Sequence, residues 1–457
     1  MAMGKRKRER QNELWIAATE VPAGPGHPFY SKLNELLADR GFDDFVEGRC
    51  EKFYHEKIGR PGIPPGVYFR MLLIGYFEGI DSERGIAWRC ADSLALRTFL
   101  GHTLTEGTPD HSSLSVIRNR IDLETHQEVF TWVLAALADS KLLKGKTLGI
   151  DATTLEANAA MRSIVRKDTG ESYEQFLTGL AEVSGVETPT REDLARIDKS
   201  RKNKARNDDW QNPHDPDAKI TKMKDGRTHL AHKAEHAVDL DTEAIVGVTV
   251  QPADRGDTTS LDETVAETFE ALLDAREHGA EVELPQEVVA DKGYHSNDTC
   301  RDGRELGLRT YYSEPDRGKR NWQGKTGERE AVYANRRRIR GQRGKALLRK
   351  RAEKVERSFA HCYETGGMRR THLRGHPKIL KRLLIHAAGF NLGLLMRKLF
   401  GLGTPRGLAE RLAGLSAGIL ALPRRLRWSL TAMNRPKRSF GPPWPRTAPI
   451  PETSMAA

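Results

Sequence analysis

The apolar positions of this chain follow two different periods along its length. Between about residues 31 and 145 they recur at helical spacing. Tyr68 to Phe77 is a helix core, ended by Gly79. Ser82 to Trp88 opens another helix, with Ser82 or Asp81 as N-cap, and Thr108 with Pro109 reads as the cap and first residue of a third. That third helix continues through Val116 to Ile121 and carries Arg118 and Arg120. Val129, Trp132, Val133, Ala136 and Leu137 place a further helix over Gln127 to Leu143.

From Thr147 the pattern changes to short apolar runs. Thr147 to Asp151 reads as a strand, and His229 to Leu240 with Ile245 to Val250 as a hairpin turning at Asp241 to Ala244. Thr258 to His278 is a helix, and Val288 to Asp291 another strand. A helix then carries Glu353 and Glu356, and Ile379 to Phe400 predicts a buried amphipathic helix, interrupted by too many cations to span a membrane. This order is mixed α/β. Between these runs, residues 160–225 are charged and predict a flexible excursion that buries little, and residues 301–350 read as basic and irregular. The resulting division is a basic, loose segment 1–30, a helical domain 31–146, an α/β domain 147–400 and a Pro/Arg-rich tail 403–457, disordered from Arg435.

Composition narrows the class. The 457 residues carry a net charge of +11, which favours a polyanionic partner such as nucleic acid. Cys50, Cys90, Cys300 and Cys362 form no C-x-x-C pair, so reduced thiols and a cytoplasmic setting are expected. The basic N-terminus is followed by no apolar run of signal-peptide type. From Asn335 to Arg357 eleven Lys and Arg face two acids, a field suited to a phosphate track in which Arg336, Arg337, Arg338, Arg340 and Arg357 are the DNA-binding candidates. Arg118 and Arg120 are the corresponding candidates in the helical domain.

Three acids carry the candidate chemistry: Asp151 and Asp291 at strand ends, and Glu356 in the basic helix. Carboxylates are the ligands Mg²⁺ prefers, and a pair of such ions can clamp an in-line phosphoryl transfer. Lys292, Tyr294 and His295 directly follow Asp291, where they could contact a scissile strand or form a plain surface turn. His229 and His232 fall on opposite faces of a strand, which argues against zinc. Of the two helical acids, Glu356 lies beside the apolar Val355 and Phe359, whereas Glu353 lies among cations, so Glu356 is the better ligand candidate.

In combination these segments resemble the DDE transposases of bacterial insertion sequences, nearest to the IS1182 and IS5 groups. The resembling segments are Gly62 to Gly101, Pro109 to Ser115, Gly149 to Asn158, Ala290 to Tyr294, Val355 to Phe359, Gly366 to Arg370, and Arg374-Gly375. The resemblance implies an RNase H-like catalytic domain behind a helical DNA-binding domain. It implies two Mg²⁺ ions, with Mn²⁺ as substitute, held by Asp151, Asp291 and Glu356. It implies double-stranded DNA as partner, both the terminal inverted repeats and the target, and a homodimer or larger assembly on paired ends. Related groups place Tyr and Arg seven and four residues before the Glu and Lys seven after it; here those positions are Arg349, Ala352 and Tyr363. A nuclease that cuts without joining and a non-catalytic DNA-binding derivative are the alternatives.

Overall fold

The computed structural model describes residues 26–55, 62–201, 205–223, 226–316, 318 and 320–408. The first 25 residues and the tail from residue 409, where looseness and disorder are expected, lie outside the described residues.

Before the first strand come α1 (Pro28–Asp39), α2 (Phe42–Cys50), α3 (Pro65–Glu78), α4 (Glu83–Asp92), α5 (Leu94–Phe99), α6 (His111–Arg120) and α7 (Leu123–Asp139). Their ends follow local chemistry. Gly79 adopts the left-handed conformation at φ 69° that closes α3. The Ser82 hydroxyl accepts from the Gly85 N–H and caps α4. Two expected starts shift. Asp110, not Thr108, caps α6, accepting from the Ser112 N–H at 2.8 Å; Thr108 precedes a proline and is biased toward extended backbone. Asp122 caps α7 through the Thr125 N–H at 2.8 Å, so that helix begins at Leu123 rather than Gln127.

Next come β1 (Thr147–Glu156), β2 (Val165–Arg166), α8 (Tyr173–Val183), α9 (Arg191–Ser200), β3 (Trp210–Gln211), β4 (Lys219–Lys222), β5 (Thr228–Asp239) and β6 (Ile245–Pro252). The expected excursion over 160–225 is instead a small folded unit. Trp210, Ile164, Ala157, Ala218 and Leu230 form a core of their own, and Tyr173 and Phe176 meet Trp210 edge-on at 4.9 and 5.3 Å. A few aromatic residues are enough to anchor it, because each buries so much surface.

The chain continues with α10 (Asp257–Glu277), β7 (Glu287–Ala290), α11 (Asn297–Glu305), β8 (Arg309–Tyr312), α12 (Thr326–Arg340), α13 (Gln342–Phe359) and α14 (His376–Phe400). Residues 301–350 are therefore largely regular, against expectation. Their apolar content is low because α12 covers a sheet edge through polar groups. Asn335 exchanges two 2.9 Å hydrogen bonds with the Tyr312 backbone, and Arg338 donates to the Thr310 carbonyl at 2.8 Å.

The main sheet runs β4-β5-β1-β7-β8, with β6 also paired to β5. β6, β5 and β1 are antiparallel in turn, and β7 and β8 run parallel to β1. This mixed sheet with its helices is an RNase H-like arrangement preceded by a helical region. α13 lies on one face, where Leu347 packs with Leu240, Val289 and Tyr311.

α14 is long and apolar enough to cross a membrane, yet its apolar window is 94% buried inside the protein. It packs against α7, α3 and β6. Its inward cations end on backbone carbonyls: Lys381 on Arg118 and Ile121 at 3.0 and 2.7 Å, and Arg382 on Ile80 at 3.0 Å. The described residues up to Pro405 thus form one compact unit, with the helical region packed onto the sheet domain.

Candidate active site

Strand register brings the first two acids together. Gly149 of β1 pairs with Val289 of β7 in parallel. Two residues further along each chain segment, on the same side of the pleat, stand Asp151 and Asp291. Asp151 does not end its strand as expected: β1 runs on to Glu156 because its pairing with β5 continues past the point where β7 stops, and Asp291 is the first residue after β7. The chain leaves β1 toward β5 and returns on its other side as β7, so the site lies just past the carboxyl end of β7, where its parallel pairing with β1 stops and the strand direction switches, a common place for a ligand crevice. Gly149 is needed for closeness: a Cβ there would stand 2.5 Å from Leu240 Cδ2 and 3.2 Å from Val355 Cγ2 of α13.

Arg351 of α13 links the two carboxylates. It is 8% exposed, its Nε donates to the Ile150 carbonyl at 3.2 Å, and its Nη2 lies 2.9 Å from Asp151 Oδ2 and 4.0 Å from Asp291 Oδ2. Asp151 Oδ1 accepts from the Ala152 N–H at 2.9 Å, and Asp291 Oδ1 from the Gly293 N–H at 2.7 Å. Both carboxylates are thereby oriented by their own backbone.

A further carboxylate joins them. Asp257, at the start of α10, sits so close that a Cβ on Gly293 would collide with its Oδ2 while standing 3.0 Å from Asp291 Oδ1. Burial pushes the Asp151 carboxyl up to about 6; Arg351 and the Ala152 N–H oppose that push, and the charges of Asp291 and Asp257 add to it. Asp257 is tied to the buried Lys233 at 2.6 Å, and Lys233 also meets Glu235 at 2.9 Å. Sequence reading gave Asp257 and Arg351 no site role. No motif marks either one; only the meeting of α10, α13, β1 and the end of β7 does.

Glu356 holds a different position. Its neighbours Val355 and Phe359 are buried, as expected, and anchor that turn of α13. Its own side chain is exposed and, among the described residues, makes no hydrogen bond or ion pair. Glu353 pairs with Arg357 at 3.0 Å on the helix surface, as its surroundings predict. No three His, Cys, Asp or Glu side chains among the described residues are already gathered for a metal. The fit to a cation rests instead on Asp151 and Asp291, two oxygen ligands already converging on one positive group.

Two family models match the chain: "Transposase domain (DUF772)" over residues 20–120 and "Transposase DDE domain" over residues 204–392. Together they span the helical region and most of the sheet domain, including Asp291 and Glu356. The chain belongs to the DDE transposases of insertion sequences. No curated protein matches it.

In this transposase the candidate DNA-binding cations divide sharply. Arg118 is turned inward and ion-paired with Glu83, so it presents no recognition surface. Arg120 is exposed, 5.0 Å over the Tyr54 ring. Arg336 forms two 2.7 Å bonds to Glu314, Arg338 is spent on Thr310, and Arg357 is held by Glu243 and Glu353. Their high density in sequence reflects the fastening of α12 and α13 as much as any phosphate track. Lys292, Arg337 and Arg340 are exposed, and Arg337 shares a cleft with Arg304, Arg329 and the exposed Tyr333. Tyr294 and His295 are fully buried, Tyr294 donating to Glu235 at 3.1 Å, so of these three side chains only that of Lys292 faces outward. His232 and His236 are also buried. His232 lies 3.2 Å from Asp215 Oδ2, and His236 bonds to Ser358 at 2.9 Å and Tyr363 at 2.6 Å. They fasten the insertion and α13 to β5.

Proposed function

We propose that this transposase binds the terminal inverted repeats of its insertion sequence and cleaves and joins DNA at Asp151 and Asp291. The observation that carries this reading is the pair of carboxylates, Asp151 within β1 and Asp291 just after β7, converging on one buried cation. Asp151, Asp291 and Glu356 would hold divalent cations, Mg²⁺ or its substitute Mn²⁺. Such cations would activate the attacking oxygen and stabilise the leaving one. Asp151 and Asp291 are presented by backbone N–H bonds, so little reorganisation is needed for them to bind a cation. Glu356 would supply a third carboxylate from α13. Lys292, next to Asp291, and the exposed Arg337 and Arg340 of α12 would neutralise DNA phosphates. The protein would work in the cytoplasm, as a dimer or larger assembly on paired ends.

Asp151→Asn and Asp291→Asn should each abolish cleavage and joining of labelled element ends, while DNA binding stays within a few-fold. Full cleavage by either variant removes that residue from the site.

The helical region is proposed to read the element ends, with Arg120 as its exposed cation on α6. In gel shifts with the full chain, Arg120→Ala should lose preference for end DNA over random DNA. An unchanged preference assigns end recognition to another surface.

A further inference from the structure

Arg351 is an unusual neighbour for carboxylates that are to hold a cation. Its guanidinium lies within ion-pair reach of both Asp151 and Asp291. A guanidinium and a divalent cation cannot share that space: both need the same oxygens, and both are positive. The arginine is built in. Its Nε is fixed on the Ile150 carbonyl, and Leu347 and Val355, one turn before and after it on α13, are buried. The backbone of α13 is thus held, so displacing the guanidinium means breaking the bond from Nε to the Ile150 carbonyl and turning the side chain. Around the guanidinium stand Asp151, Asp291 and, behind them, Asp257, which Lys233 already neutralises. Without Arg351, the carboxylates of Asp151 and Asp291 would face each other uncompensated.

We propose that Arg351 is the resting counter-cation of this site: its guanidinium holds the place between Asp151 and Asp291 that a divalent cation takes, and metal entry moves it aside. The inference rests on the metal-dependent reading of the site. Arg351 keeps the acid pair compact in the metal-free protein and sets a threshold that the metal must overcome. Released, the guanidinium remains beside the reaction centre, where its fork suits a phosphate.

The test is Mn²⁺ binding to the full chain, followed by electron paramagnetic resonance, with thermal melting in parallel. Arg351→Gln should bind Mn²⁺ at least ten-fold more tightly than wild type. It should melt lower without metal and gain more from Mn²⁺. Arg351→Lys, which keeps a charge with less reach, should fall between the two, and it carries the test if the Gln variant fails to fold. Wild-type or weaker Mn²⁺ affinity in both variants overturns the proposal and makes Arg351 a support for the metal ligands. A Mn²⁺-bound crystal structure with Arg351 still paired to Asp151 overturns it too. Asp151→Asn separates the two levels. If it binds Mn²⁺ like wild type, the metal reading of the site fails; if it loses Mn²⁺ while Arg351→Gln binds as wild type does, only the counter-cation fails.

Discussion

At the scale of single residues, the choice between Glu353 and Glu356 depends on what already occupies each side chain. Glu353 is held by Arg357 at the surface, and an exposed i,i+4 pair contributes only about 0.3–0.5 kcal/mol. Among the described residues Glu356 has no partner, and its turn is anchored by Val355 and Phe359. Glu356→Gln should abolish strand transfer, and Glu353→Gln should retain most of it. The reverse result, in a joining assay with labelled ends, would move the third carboxylate one helical turn. The burial of Val355 and Phe359 was legible in the sequence, because apolar residues mark the side of a helix that packs inward. The roles of Arg351 and Asp257 were not, because charge in a sequence carries no direction. Among eleven cations between Asn335 and Arg357, nothing local distinguishes the one that turns inward.

At the scale of elements, buried carboxylates tie the sheet together. Glu287 opens β7, accepts from Thr147 of β1 and Tyr311 of β8 at 2.9 and 3.2 Å, and meets Arg343 of α13 at 2.5 Å. Burial pushes its carboxyl upward, but the bonds from Arg343, Thr147 and Tyr311 outweigh that, and the net shift is below the ordinary 4.5. A group whose carboxyl is depressed on folding stabilises the protein above the unfolded value and loses that contribution as pH falls through the folded one. Glu287→Gln should therefore cost about 1–3 kcal/mol at neutral pH, and the deficit should shrink below about pH 4.5. Urea unfolding at pH 7 and pH 3.5 measures both; a deficit independent of pH would mean that packing, not charge, is lost. The strands and long helices were readable because their apolar periods are strong. The insertion and α12 were not, because they are held by a lone Trp210 core and by Asn335 and Arg338 on backbone groups, contacts that leave no period in the sequence.

At the scale of the whole molecule, the charge of +11 matters as a distribution. With Arg336, Arg338 and Arg357 held by partners within the protein, the exposed Arg329, Arg337 and Arg340 are the α12 cations proposed to meet DNA. Replacing these three with Ala should weaken binding to all sequences alike and lower the salt slope by roughly one unit per lost contact. Replacing Arg336 should act mainly on stability. Binding isotherms at several salt concentrations decide; a changed sequence preference at constant slope would contradict the phosphate role.

The sequence by itself determined the run of helices before β1, the strands that bring in Asp151 and Asp291, the buried residues Val355 and Phe359 beside Glu356, and the basic balance of the chain. These are properties of local period and composition, and they survive without knowledge of the partners. Tertiary structure alone decided which elements become neighbours. It paired Gly149 with Val289 so that two acids from distant segments converge. It turned Arg118 and Arg351 inward, and it joined the helical region to the sheet through α14. Such choices depend on register and on contacts between residues more than a hundred positions apart, and a one-residue slip of register would send each side chain to the opposite face.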